Sequence, residues 1–422
     1  MIEKPKLYVT AMVLILLVAI APIAFNAVVD PYDRNGLIDL DLDKGEISVK
    51  AHYPLYKMIE YPRIMAPTVI LGDSRARALK DRHWKELGRD DVYNFAYGGA
   101  TVYEIYDTFD YLRENADLET LIISLPLRSM DKRFKGSMNR VPEAIGLARD
   151  PFGYYSNWFV SKVGWRLLED RYPTLFDAGA FSLPSLVSAA NAGEFGIAGV
   201  LSVEDLLDPD LCESCALSTP AEPIVLPTRF QHHGEGLNHW NKYWPEIRID
   251  RDLPQLFARQ VGTNGAADWR RFKQSTELWS KIEEIAAWCA ENNVELIFLI
   301  PPTISEMQRR IADFGLTSAN HRFRERLSKL APVVDLDFDT PFTRDLANFK
   351  DAYHFGSDPA RQIVRELQQL LDTNSTRADA TADGRKGLSC PVRASDILES
   401  HNDGSVELLQ GQSCRIWRQA NG

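Results

Sequence analysis

Three residues far apart in the chain have the types that acyl-transfer chemistry needs: Ser74, Asp351 and His354. A serine hydroxyl is a weak nucleophile near neutral pH. It requires a base within hydrogen-bond reach and a third group that fixes the tautomer of that base. Asp351-x-x-His354 supplies both on one turn of chain, the carboxylate for Nδ1 and the ring Nε2 for the serine. Such pairs arise easily by chance, so position decides. Ser74 lies in Val69-Ile70-Leu71-Gly72-Asp73-Ser74-Arg75-Ala76, where a short apolar run ends at a glycine. The run reads as a buried parallel strand, and Gly72 permits a tight exit from it. Ser74 then falls at the start of a helix expected over 75–80, where unpaired backbone N–H groups can hold a negative oxygen. A serine at that position also serves as a plain N-cap, and this stretch alone fits both roles.

The elements around these residues give the position its meaning. Apolar runs at 69–71, 92–95, 121–124, 296–300 and 333–336 read as strands. Helical patterns lie between them. One covers 53–65, with Leu55, Ile59 and Ile64 apolar; another follows Thr101, with Glu104 completing a capping box. A third covers 279–292, with Ile282, Ile285, Ala286 and Cys289 on one face and Asn293 as its stop. Others cover 322–330 and a run from a Ser357 cap, with Pro359 in the first turn, to about 371. Strand alternating with helix predicts an α/β fold with a doubly wound parallel sheet. Loops at the carboxyl ends of such strands converge on one crevice. The first of those loops carries Ser74 and the last carries Asp351 and His354.

From 130 to 268 the rhythm breaks into a Pro-, Gly- and aromatic-rich stretch that reads as a large insertion. It contains Gln231-His232-His233-Gly234-Glu235-Gly236-Leu237-Asn238-His239-Trp240-Asn241-Lys242-Tyr243-Trp244. The histidines lack the spacing of a metal site. Aromatics interleaved with amides suit a sugar, whose flat apolar faces lie beside hydroxyls, so His239, Trp240 and Trp244, with Arg75, are candidate substrate contacts. An ordinary aromatic loop packed on the domain explains the same residues. After 372 the composition becomes that of a flexible linker, and the tail to 422 holds Cys390 and Cys414 with short alternating patterns. A small disulfide-closed hairpin and a disordered tail both fit it.

Residues 8–29 carry no charge and are long enough to cross a bilayer as a helix. Lys4 and Lys6 precede them and Asp30, Asp33, Asp39 and Asp41 follow, so the positive-inside rule places the rest of the chain outside. The expectation is a retained single-pass anchor; a cleaved signal peptide is the alternative, with Ala24 and Ala27 near a cleavage position. The domains then read 1–29 tip and anchor, 30–65 connector and first helix, 66–372 α/β domain with the insertion, and 373–422 linker and tail. The formal net charge of -11 argues against nucleic acid as a partner. Of five cysteines, Cys212 with Cys215 and Cys390 with Cys414 can pair in an oxidising compartment, leaving Cys289 as a buried thiol.

Three blocks in this order resemble the SGNH (GDSL-type) hydrolase superfamily. Gly72-Asp73-Ser74 matches the block that carries the nucleophile, Asn94-Phe95-Ala96-Tyr97-Gly98 the block whose glycine gives an oxyanion N–H, and Asp351-Ala352-Tyr353-His354 the block of the triad aspartate and histidine. The resemblance covers 66–372 and implies a flavodoxin-like sheet order, with Ser74, Asp351 and His354 catalytic and the N–H groups of Ser74 and of Gly98 or Gly99 as the oxyanion hole. The layout is similar to the membrane-anchored branch that includes alginate O-acetyltransferase proteins and DltD-like proteins of teichoic-acid alanylation. The superfamily's third block, Gly-x-Asn-Asp, is absent: Ser124-Leu125-Pro126-Leu127 stands after the third strand. Its asparagine donor is therefore not carried over, and a missing donor typically costs about a hundredfold or more in rate.

The resulting expectation is serine-dependent acyl transfer to, or ester cleavage on, an envelope or exported polysaccharide, in the periplasm at the inner membrane. A membrane partner would supply the acyl donor, and no cofactor, metal or nucleotide motif is called for. The alternative is a non-catalytic SGNH-like domain that binds polysaccharide or scaffolds an export complex.

Overall fold

The computed structural model describes residues 4–174, 251–375, 397–400, 406–410 and 415–419. The chain divides into two compact units, Met1–Met65 with Met138–Ala216, and Ala66–Ser137 with Leu217–Gly422.

The second unit is built on parallel strands β1 (Thr68–Leu71), β2 (Val92–Asn94), β3 (Thr120–Ser124), β4 (Glu295–Ile300) and β5 (Val333–Asp335), in the order β2-β1-β3-β4-β5. This is the order of a doubly wound sheet with its switch point between β1 and β3. The strands are buried along nearly all their length, and their sequences are accordingly apolar on both faces, as Thr-Val-Ile-Leu in β1 and Glu-Leu-Ile-Phe-Leu-Ile in β4 show. Helices Val102–Asn115 and Thr276–Glu291 pack together beside the sheet, with Phe109 edge-on to Trp288 at 5.3 Å between centroids. Ser357–Ser375 inserts Ile363, Val364, Leu367 and Leu371 into a cluster that includes Ile70, Ile122 and Ile297. The Thr101–Glu104 capping box forms in both directions.

The tail differs from either expectation. Strands β6 (Ile397–Ser400), β7 (Val406–Gln410) and β8 (Arg415–Gln419) form an antiparallel meander, and β8 pairs with β5 through Val333–Trp417 and Asp335–Arg415. Alternation in segments such as Val406-Glu407-Leu408-Leu409-Gln410 suits this addition, which covers the exposed edge of β5. Cys212, Cys215, Cys390 and Cys414 lie outside the described residues; among the described ones, Cys289 is a buried free thiol.

The first unit is helical: Lys4–Val29, Lys44–Ala51, Tyr53–Glu60, Val141–Arg149, Pro151–Tyr155 and Trp158–Arg171. The 138–174 part of the expected insertion thus groups with the N-terminal segment. Among the described residues no helix is long and apolar enough to cross a membrane. The Lys4–Val29 backbone is continuous helix, and its side chains at 4–7, 10, 11, 14, 15 and 17–19 lie outside the described ones.

Candidate active site

The β1 turn is shaped by one glycine. Gly72 sits at φ +151°, and a Cβ there would fall 2.7 Å from Ser124 Cβ and 2.9 Å from Ala76 Cβ. Only a residue without a side chain lets the chain leave β1 this close to β3. The helix begins at Ser74, one residue ahead of expectation, and ends at Arg77. Asp73 is its N-cap and accepts the Arg75 N–H at 3.0 Å. Ser74 is therefore not the cap. Its hydroxyl is directed instead to His354, with Oγ 2.7 Å from Nε2.

The second loop is a tight reversal. Phe349 and Phe355 bridge, and His354 O accepts the Lys350 N–H at 2.8 Å. Inside it Asp351 Oδ1 accepts the N–H groups of Tyr353 and His354 at 2.8 and 2.9 Å. Its other oxygen, Oδ2, lies 2.8 Å from His354 Nδ1. Burial alone would raise the Asp351 carboxyl, but the imidazole beside it and these two backbone donors hold it below its ordinary value. An ionised Asp351 accepts a hydrogen bond from Nδ1–H, and that tautomer leaves Nε2 as the acceptor facing Ser74.

Two side chains from the segment ahead of β4 fasten this reversal. Gln260 Oε1 accepts the Ala352 N–H at 2.8 Å, and Asp268 Oδ2 accepts the Tyr353 hydroxyl at 2.9 Å. Asp268 Oδ1 also meets Arg128 Nε at 2.9 Å, in the loop after β3. Gln260 begins a π-helical turn, Gln260–Asn264, a feature that often marks functional sites. Neither residue carries a signal in the sequence, because its partner is 85 or more positions away.

Asn94 is a further residue whose role the blocks did not disclose. Its Nδ2 donates to Ala76 O and Leu79 O at 2.7 and 2.8 Å, and its Oδ1 accepts the Ala96 N–H at 2.9 Å. It staples the chain after Ser74 to the end of β2. Tyr97 N–H donates to Gly72 O at 3.0 Å, continuing the pairing beyond β2. Gly99 holds φ +64° in the turn closed by Ala100 N–H on Tyr97 O. Ser74 N–H heads its helix and has no acceptor within it. Where the third block would stand, the buried Ser124 hydroxyl has no hydrogen-bond partner among the described residues.

Arg75, expected as a substrate contact, is engaged by its neighbour Asp73. It is buried, with Nη2 2.6 Å from Asp73 Oδ2 and Nε near both carboxylate oxygens, as two residues sharing one tight turn permit. Burial would raise Asp73, but the guanidinium holds it below its ordinary value. Asp337, beyond β5, is pushed up by burial against the opposing charge of Arg324, and Thr303 donates to it from both N and Oγ1. His239, Trp240 and Trp244 lie outside the described residues. Among the described residues no group of three or more His, Cys, Asp and Glu is placed to hold a metal. The arrangement can perform nucleophilic acyl transfer: a base-paired serine, an oriented base and backbone N–H groups at one turn. No family model and no curated protein matches the chain.

Proposed function

We propose that this protein is an SGNH-type serine acyltransferase or esterase, anchored in the inner membrane through residues 8–29 and acting outside the cytoplasm on an envelope or exported polysaccharide. The Ser74 Oγ to His354 Nε2 distance of 2.7 Å carries the proposal. His354 takes the Ser74 proton as Oγ attacks the acyl carbonyl. The N–H groups of Ser74 and of Gly98 or Gly99 face the developing oxyanion. Collapse expels the donor's alkoxide, which receives the proton from His354, and leaves an acyl-serine. A sugar hydroxyl, or water, then gives its proton to His354 and attacks the acyl carbon; the acyl–Oγ bond breaks and Ser74 Oγ takes that proton back from His354. Arg75 is assigned the structural role of fixing Asp73.

The uncharged N-terminal run and its flanking lysines support the anchor, and the aromatic–amide stretch around Trp240 supports a sugar acceptor. The donor would come from a membrane partner, since acyl-coenzyme A pools are cytoplasmic. The absence of Gly-x-Asn-Asp after β3 favours a second reading, a polysaccharide-binding scaffold without turnover.

Aryl-acetate hydrolysis by the full chain and by Ser74→Ala tests the proposal. Turnover by the first alone supports the enzyme. Equal rates, or none from either, favour the scaffold. Adding an acetyl-accepting oligosaccharide then separates the branches: acetate recovered on sugar marks a transferase, and acetate only in water marks an esterase.

A further inference from the structure

The first unit ends its N-terminal helix in a polar clasp. Asn26, buried, donates from Nδ2 to Tyr155 O at 2.7 Å and Asn157 O at 3.2 Å. Asp30 accepts the Tyr154 hydroxyl at 3.2 Å and the N–H groups of Arg34, Asn35 and Gly36. Gly164 lies against Phe25 and Val29 so closely that a Cβ would sit 3.1 Å from each side chain. Helices Pro151–Tyr155 and Trp158–Arg171 are therefore fixed to residues 25–30. The second of them stays at that level at least as far as Trp165, whose ring lies 6.3 Å from Phe25, and ends at Arg171, which pairs with Asp41 at 2.7 Å in the connector.

Two large apolar side chains flank the clasp in solvent. Phe152 is 70% exposed and Trp158 is 66% exposed, although the rest of their two helices buries Tyr154, Val160, Val163 and Leu167. Residues 8–25 as helix span about 27 Å, close to the ~30 Å hydrocarbon thickness of a bilayer. With that span in the membrane, Asn26 marks the boundary. Tyr155 and Asn157, bonded to it, stand at the headgroup level, where Trp and other aromatic rings concentrate because one part of the ring is apolar and the rest tolerates water.

We infer that the Pro151–Trp158 segment is a second, interfacial membrane contact, with Phe152 and Trp158 inserted at the headgroup boundary of the leaflet from which the chain emerges. The partner is the lipid surface itself. The clasp sets the first unit's orientation rather than leaving it on a free tether. The inference rests on the anchor proposed above.

The test places the photo-crosslinking amino acid benzoylphenylalanine singly at positions 16, 152, 158 and 172 of the full chain. The protein is reconstituted in vesicles of phosphatidylethanolamine and phosphatidylglycerol, and lipid adducts are read by mass spectrometry. Position 16 reports the anchor. Position 172, at the far end of a helix about 20 Å long, reports whether the contact is confined to the Pro151–Trp158 segment. Adducts at 16, 152 and 158, with none above background at 172, are expected. Adducts at 16 but not at 152 or 158 overturn the interfacial contact and leave the anchor standing. No adduct at 16 removes the anchor and this inference with it. Equal yields at 158 and 172 overturn a contact confined to the Pro151–Trp158 segment. Each replacement at 152, 158 and 172 exchanges one exposed aromatic ring for another, so misfolding does not mimic these outcomes.

Discussion

Ser74 and His354 stand 280 positions apart in the chain, yet their reactive atoms are 2.7 Å apart. The sheet brings this about, since the turn after β1 carries one residue and the loop region after β5 contains the other. Asp351 completes the relationship by holding Nδ1 of the same ring at 2.8 Å. Asp351→Asn keeps the shape but can donate rather than accept at Nδ1, which turns the wrong tautomer toward Ser74. On aryl acetate kcat should fall about a thousand- to ten-thousand-fold with KM little changed. Steady-state kinetics checks it; a loss confined to KM would contradict the orienting role.

Asn94 has a structural consequence that can be measured without a substrate. Removing its amide in Asn94→Ala strands the buried Ala76 and Leu79 carbonyls and the Ala96 N–H. A loss of about 2–4 kcal/mol is expected from denaturant unfolding. A change within ~0.5 kcal/mol would show that these groups find other partners.

Gly72→Ala tests the close passage of the nucleophile turn past β3. The new methyl meets Ser124 Cβ and Ala76 Cβ below 3.0 Å at a φ that L-residues rarely adopt. Destabilisation of about 2–4 kcal/mol is expected. Ser124→Gly in the same chain should restore part of it, and no restoration would place the strain in the backbone alone.

Acid sensitivity has an identifiable source in His83. It is 2% exposed, and neither ring nitrogen has a hydrogen-bond partner among the described residues. Burial, aided by Arg82 and Arg361, pushes it down to about 4. The unfolded chain protonates near the ordinary histidine value while the folded one stays neutral. Stability is therefore full above about pH 6.5 and declines as pH falls toward 4, by roughly 3 kcal/mol for this group. His52, also pushed down to about 4, adds a share in the same window. His83→Phe should flatten the pH dependence of the denaturation midpoint without abolishing it. An unchanged slope would contradict the assignment.

The five parallel strands and the residues of both loops were legible because their signals are local. A fully buried strand must be apolar throughout, as Leu121-Ile122-Ile123 is, and a capping box lies within four residues, as Thr101 and Glu104 do. The meander β6–β8 was not legible as part of the sheet, since pairing with β5 depends on a register that short alternating segments do not specify. The Gln260 and Asp268 contacts to the Asp351–His354 reversal escaped for a similar reason: an amide or carboxylate reveals nothing about a partner brought near only by the fold. Arg75 shows the converse. Its place beside the serine suggested a substrate contact, and the sequence did not disclose its pairing with Asp73.

Reaction of the full chain with a fluorophosphonate probe, followed by mass spectrometry of its peptides, tests the nucleophile most directly. The expected adduct is on Ser74, formed rapidly near neutral pH and lost in His354→Ala, whose serine has no base. Labelling of Ser74 at an unchanged rate in His354→Ala, or no labelling of Ser74 in the intact chain, would contradict an activated serine at this site.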